Sequence, residues 1–108
     1  METELGKLLD TSIYFLNIAF VQEIWRMCKR LGVDYQQAYE QFSKTFTIDP
    51  AYSIPRPIFY PGAIGKRCLE PNAKLLNRVY RSKLIEAMLE SNRKRKRELA
   101  KEGSHDLS

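Results

Sequence analysis

The 108-residue sequence predicts an all-α fold, with one long N-terminal helix, shorter helices behind it, and a long ordered proline-rich loop between them. Three observations predict it. Residues 3–31 contain no proline and a single glycine, Gly6. Apolar residues recur there at helical spacing, and all five prolines (Pro50, Pro55, Pro57, Pro61 and Pro71) fall in one central stretch. No alternating pattern supports a strand, and no internal repeat is found.

The first helix is bounded at residues 3–31 by strong helix formers. Lys29 and Arg30 complement the negative end of its dipole, and Gly32 ends it. Its length is about 43 Å at 1.5 Å per residue, long for a domain of this size. Ile13, Leu16, Phe20, Ile24, Met27 and Leu31 form one apolar stripe; Tyr14, Ile18, Val21, Trp25 and Cys28 form another. One neighbouring surface cannot bury both, so a homodimer built around this helix is expected.

Asp34 with Gln37 three residues on resembles a capping box. Tyr35, Ala38, Tyr39, Phe42 and Phe46 then follow helical spacing, which predicts a short amphipathic helix to Phe46. Residues 47–71 read as the loop, packed down through Ile54, Ile58, Phe59 and Tyr60; long loops inside compact domains are often functional. Asn72 is expected to cap a third helix carrying Leu75, Leu76, Val79 and Tyr80. Ser82 is expected to start a fourth, with Leu84, Ile85, Met88 and Leu89 apolar. The organisation is a helical domain over residues 1–92, then a basic helix end and frayed tail over 93–108.

Composition narrows the function. Apolar residues make up 44% of the chain and charged residues 29%, a balance that folds. Two cysteines and one histidine, His105, cannot build a disulfide framework or a structural zinc site, so no metal is expected. The most apolar run, residues 13–21, contains Asn17 and meets Gln22 and Glu23, short of the roughly 20 apolar residues a bilayer requires. The acidic start, Met-Glu-Thr-Glu, does not resemble an export signal. A cytoplasmic location, with no membrane contact, is expected.

The net charge of +5 resides in one run, residues 93–97; without those five, thirteen basic residues face thirteen acidic ones. The run could grip phosphates, but no aromatic residue is interleaved to stack on bases, and it reads more simply as a solvated helix end. Nucleic acid is therefore not the expected partner. Phe15, Phe20, Trp25, Phe42 and Phe46 read as core or dimer seam, with Trp25 beside Arg26 the alternative candidate for an interface anchor.

The segment Pro61-Gly62-Ala63-Ile64-Gly65-Lys66-Arg67-Cys68-Leu69-Glu70-Pro71-Asn72 carries the most chemistry. It places one thiol between a glycine-containing turn and a helix start, with Lys66 and Arg67 adjacent, an environment that favours thiolate. The plainer reading of Cys68 is a small buried apolar residue.

With this segment, Glu4-Leu5-Gly6-Lys7 and the long helix ending Gly32-Val33-Asp34, residues 3–92 resemble the central domain of UDP-glucose/GDP-mannose dehydrogenases. The resemblance implies a helical dimerisation domain of the kind found at the C-terminus of 6-phosphogluconate dehydrogenase. It also implies flanking domains that bind NAD and the nucleotide sugar. No strand followed by a glycine-rich phosphate turn occurs here, so no cofactor and no unaided dehydrogenase activity are expected.

By the same resemblance Cys68 matches the cysteine that attacks the aldehyde intermediate, and Lys7 the lysine that stabilises developing negative charge. Thr11 and Asn72 stand where better-known members have asparagine and a water-activating aspartate. Lys66 replaces the second of two glycines, a position that usually needs positive φ or close approach.

The expected function is thus a non-catalytic self-associating or protein-binding helical domain derived from such a dehydrogenase, truncated and engineered as a protein scaffold. Ile13, Phe20, Ile24, Trp25, Ile58, Phe59, Tyr60, Lys66 and Arg67 form its interface, and a heterologous protein is the further expected partner. The alternatives are a dehydrogenase piece that supplies Cys68, and a nucleic-acid module that uses residues 93–97.

Overall fold

The computed structural model describes residues 1–45, 47–49, 51, 54–55, 57–65 and 69–102. Three helices carry the fold: α1 (Glu2–Leu31), α2 (Leu69–Val79) and α3 (Lys83–Lys101). α1 spans 30 residues, about 45 Å. It ends in a Schellman motif: Gly32 sits at φ 70°, its N–H reaches Lys29 O, and the Val33 N–H donates to Cys28 O at 3.0 Å. A residue with a Cβ would be strained at that φ.

The short helix after Asp34 begins as predicted, with Asp34 Oδ1 accepting from the N–H groups of Gln36 (2.8 Å) and Gln37 (3.2 Å). Over Gln36–Gln41 it is wound as a π-helix, and helical structure ends at Ser43. The wider turn breaks the 3.6-residue period on which its amphipathic reading relied, and Phe42 is exposed. Phe46 lies outside the described residues.

The proline-rich stretch contains one small pairing that sequence alternation did not predict: β1 (Thr47–Asp49) runs antiparallel to β2 (Ile54–Pro55), with a register irregularity between Thr47 and Asp49. A pairing of three residues with two is too short to leave an alternating pattern, and the class remains all-α. The expected anchors also differ. Ile58 and Tyr60 are exposed and Phe59 is half-buried, its ring edge-on to Tyr14 at 5.6 Å. Among the loop residues whose burial is described, the buried ones are residues 61–65.

α2 starts at Leu69, so Asn72 lies inside the helix instead of capping it. Pro71 therefore occupies the first turn, where its missing N–H is one that no intrahelical carbonyl would have accepted. Ser82 does cap α3, its Oγ accepting from the Ile85 N–H at 3.3 Å, and Asn77 Oδ1 accepts from the Ser82 N–H at 2.8 Å.

Phe15, Ala19, Ile64, Ala73, Met88 and Leu89 form the core where the three helices meet residues 61–65. The small Ala19 and Ala73 allow close approach around Phe15, which is fully buried. Contacts of Ala19 with Ser91, Gln22 with Asn92 and Arg26 with Glu98 advance in the same sense along both helices, so α1 and α3 run parallel. α3 continues without a break past Asn92, and both Arg95 and Leu99 are buried.

The core does not cover the two predicted stripes equally. Val21 and Cys28 of the second stripe are buried, whereas Ile13, Phe20 and Leu31 of the first are 60%, 59% and 74% exposed. The face that α1 turns inward carries Ser12, Phe15, Ala19 and Gln22, half of it polar.

Candidate functional site

Residues 61–65 are seated on a buried polar cluster. Asn92, on the inward face of α3, accepts at Oδ1 from the Ile64 N–H (2.7 Å) and donates through Nδ2 to Ile64 O (2.8 Å) and Glu70 Oε2 (3.0 Å). Gln22 of α1 donates through Nε2 to Gly62 O (2.8 Å) and to Asn92 Oδ1 (3.2 Å), and its Oε1 accepts from Ser91 Oγ at 2.9 Å. Arg95 Nε donates to Pro61 O at 2.6 Å. Four groups of the loop backbone, the carbonyls of residues 61, 62 and 64 and the Ile64 N–H, therefore find partners on side chains, as buried backbone must.

Both carboxylates of the cluster are paired with cations within the chain. Glu70, buried at the start of α2, receives Lys96 Nζ at 3.3 Å and lies 3.9 Å from Lys74 Nζ. Glu98 bridges Arg26 (2.9 Å) and Arg95 (3.3 Å). Burial pushes the Glu98 carboxyl up, but its hydrogen bonds and proximity to the two guanidiniums outweigh that and hold it below its ordinary value. The Arg95 guanidinium also lies 4.0 Å from the centre of the Trp25 ring, with Lys29 Nζ at 4.8 Å.

At the edge of this cradle, Asn72 Nδ2 on α2 donates to Thr11 Oγ1 on α1 at 3.3 Å. Thr11 Oγ1 also bonds the carbonyls of Lys7 (3.1 Å) and Leu8 (3.2 Å) one turn back. Thr11 and Asn72, far apart in sequence, thus meet at one edge of the α1–α2 packing, with Lys7 one turn before Thr11 on α1.

A family model described as UDP-glucose/GDP-mannose dehydrogenase family, central domain, matches residues 1–94. The chain belongs to the UDP-glucose/GDP-mannose dehydrogenase family. No curated protein and no solved structure gives a significant match.

Of the four positions that the resemblance matches to the family's functional residues, the structure brings Thr11 and Asn72 into contact and leaves Lys7 exposed one turn before Thr11; Cys68 lies outside the described residues, with Lys66 and Arg67. Both flanks of residues 66–68 are nevertheless fixed, because Ile64 and Glu70 bind the same Asn92 side chain. The Thr11–Asn72 pair is neutral, where the family resemblance implies an ionisable aspartate at Asn72.

The proposed interface residues separate into two groups. Ile13, Phe20, Ile58 and Tyr60 are exposed, while Ile24, Trp25 and Phe59 are half-buried. Trp25 and Arg26 are engaged within the chain by Arg95, Lys29, Glu98 and Ser91. A groove of about 460 Å³ bordered by Leu5, Leu9, Ile13, Val79 and Leu84 continues the uncovered face of α1 between α2 and α3.

The basic run is only in part the solvated helix end expected of it: Arg93, Lys94 and Arg97 are exposed, whereas Arg95 is buried and Lys96 half-buried. Arg93 and Arg97 pair with Glu90, Arg95 with Glu98 and Lys96 with Glu70, leaving Lys94 as the one member of the run with no ion pair among the described residues. Helical position decides this: residues 92, 95 and 99 fall on the inward face of α3. Gln22, Glu70, Asn92 and Arg95 are the site residues that sequence reasoning missed. A polar residue at every third or fourth position among apolar ones, such as Asn92, Arg95 and Leu99, is the signal that could have found them.

Proposed function

We propose that this chain is a self-associating helical domain, joined to a second copy through the uncovered apolar face of α1. The observation that carries the reading is the exposure of Ile13, Phe20 and Leu31, with Leu9 and Met27 also exposed along the same line. Scattered exposed apolar residues are ordinary; several at helical spacing, with only the half-buried Leu16 and Ile24 between them and an apolar groove beside them, are characteristic of an interaction surface. Family membership in a central helical domain supports the same role. Light scattering over a concentration series tests it: a mass about twice 12.6 kDa, lost on Phe20→Glu with the fold retained, is expected. A monomer at every concentration would remove the reading.

A second reading is favoured by the Asn92 cradle: the chain supplies Cys68 and Lys7 to a dehydrogenase site completed by other domains or chains. Seating residues 61–65 on three buried polar side chains has a purpose if the segment that follows must be held for chemistry. Lys66→Gly, combined with NAD- and nucleotide-sugar-binding domains of the family, should then yield NAD reduction that Cys68→Ser abolishes. Inactivity of a correctly assembled complex counts against it.

A further inference from the structure

We propose that the cleft between the C-terminal ends of α1 and α3 receives an acidic segment of a partner polypeptide, whose carboxylates, spaced along an extended chain, meet Lys29, Arg30, Lys94 and Lys101. The inference goes beyond self-association and does not depend on it.

The parallel course of the two helices brings these cations together. Residues 25, 26, 29 and 30 of α1 and residues 94, 98, 101 and 102 of α3 recur at helical spacing and border a cleft of about 410 Å³. Arg26 is paired with Glu98 and Glu23, and Glu98 also with Arg95. Lys29, Arg30, Lys94 and Lys101 are exposed and make no ion pair among the described residues, and neither does Glu102. Four unpaired cations thus face one unpaired carboxylate, and the cleft carries a positive potential that an anion would relieve. At 3.6 residues per turn, these positions of α1 lie roughly opposite Ile13 and Phe20 around the helix, so the cleft stays open when the apolar face is covered.

The chemistry of the walls selects the anion. Trp25 is the one aromatic residue at the cleft, and its ring is engaged by Arg95 at 4.0 Å and Lys29 at 4.8 Å. No second aromatic is there to stack successive bases of a nucleic acid. Compact phosphates are cradled by helix N-termini and guanidinium forks. Here α1 and α3 both end, presenting carbonyls, and three of the four unpaired cations are lysines. The carbonyl ends attract Lys29, Arg30 and Lys101 but repel a concentrated dianion. Separate ammonium groups on flexible stems suit single charges spaced along a chain.

Spacing agrees with such a chain. Lys94 and Lys101 are one wall of the cleft, about 10 Å apart along α3 at 1.5 Å per residue. The Arg26–Glu98 bond sets Lys29 and Arg30 across from Lys101 on the other wall. An extended segment at about 3.3 Å per residue covers that distance in about four residues.

A labelled hexaglutamate peptide is the probe. By fluorescence anisotropy at low salt it should bind the full chain, and hexaglutamine should not. Lys94→Glu with Lys101→Glu should weaken hexaglutamate binding by roughly tenfold or more. Arg81→Glu with Lys83→Glu makes the same change of charge on exposed residues at the other end of α3, and should weaken it by less than about twofold. Equal losses in the two variants mean diffuse attraction and overturn the site, as does an absence of hexaglutamate binding. Tripolyphosphate or oligothymidylate that displaces the peptide at lower concentration, charge for charge, overturns the assignment to an acidic polypeptide. Footprinting on the unaltered chain removes any dependence on the folding of variants: hexaglutamate should protect Lys29, Lys94 and Lys101 from acetylation several-fold more than Lys83. Equal protection at Lys83 overturns the proposal.

Discussion

The side-chain amide of Asn92 holds Ile64 by both of its backbone groups, accepting from the N–H at 2.7 Å and donating to the carbonyl at 2.8 Å. It stands in for a strand partner where the loop has none. Asn92→Leu should therefore strand Ile64, the Gln22 amide and one Glu70 oxygen without those bonds. At about 1–3 kcal/mol for each buried group left unsatisfied, a loss of about 3 kcal/mol or more is expected by urea denaturation. Asn92→Asp should fare no better, because it sets a carboxylate against Glu70.

The basic run should divide by position. Arg95→Ala, which removes the bond to Pro61, the contact with Trp25 and half of the neutralisation of Glu98, is expected to cost about 3 kcal/mol. Lys94→Ala on the exposed side should change stability by less than about 0.5 kcal/mol. Equal effects in thermal melts would contradict the assignment of residues 93–97 to different faces.

Acid should weaken the α1–α3 contact through Glu98. Its folded pKa lies below the ordinary 4.5, so its contribution is present above that value and is lost as pH falls through the depressed one. Glu98→Gln should lower stability at neutral pH by about 1–2 kcal/mol and flatten the pH dependence in the acid range, as measured by denaturation between neutral pH and pH 3.

Phe15→Ala should destabilise by about 3–5 kcal/mol, the range for emptying an aromatic from a closed core. Gly32→Ala should cost about 1 kcal/mol through the left-handed backbone alone, since nothing lies within 4 Å of where a Cβ would stand. Calorimetry of both variants distinguishes the packing penalty from the conformational one.

Much of this architecture was legible in the sequence. Gly32 and the cations before it gave the end of α1, Ser82 gave the start of α3, and the segment from Pro61 to Cys68 pointed to the family. What escaped was the assignment of inside and outside. Apolar spacing gave two stripes on α1 and no sign that the helix turns Ser12 and Gln22 inward. Hydrophobic periodicity cannot see a side chain that is buried because its hydrogen bonds are satisfied, and Asn92, Glu70 and Arg95 are of this kind. The cap expected at Asn72 failed for a related reason: proline was read as a stop, although the first turn of a helix tolerates it.

The buried polar side chains between α1 and α3 bear on uniqueness as well as strength. Two parallel helices joined only by Leu16, Ala19, Met88 and similar residues could slide past one another by a turn, 5.4 Å, at modest cost. With Gln22 on Asn92 and Arg26 on Glu98, such a slip would break hydrogen bonds and an ion pair that register the two helices. Replacing these residues by well-fitting apolar ones could therefore give a chain that melts no earlier but occupies several packings, visible as line broadening and multiple resonances for Ile64.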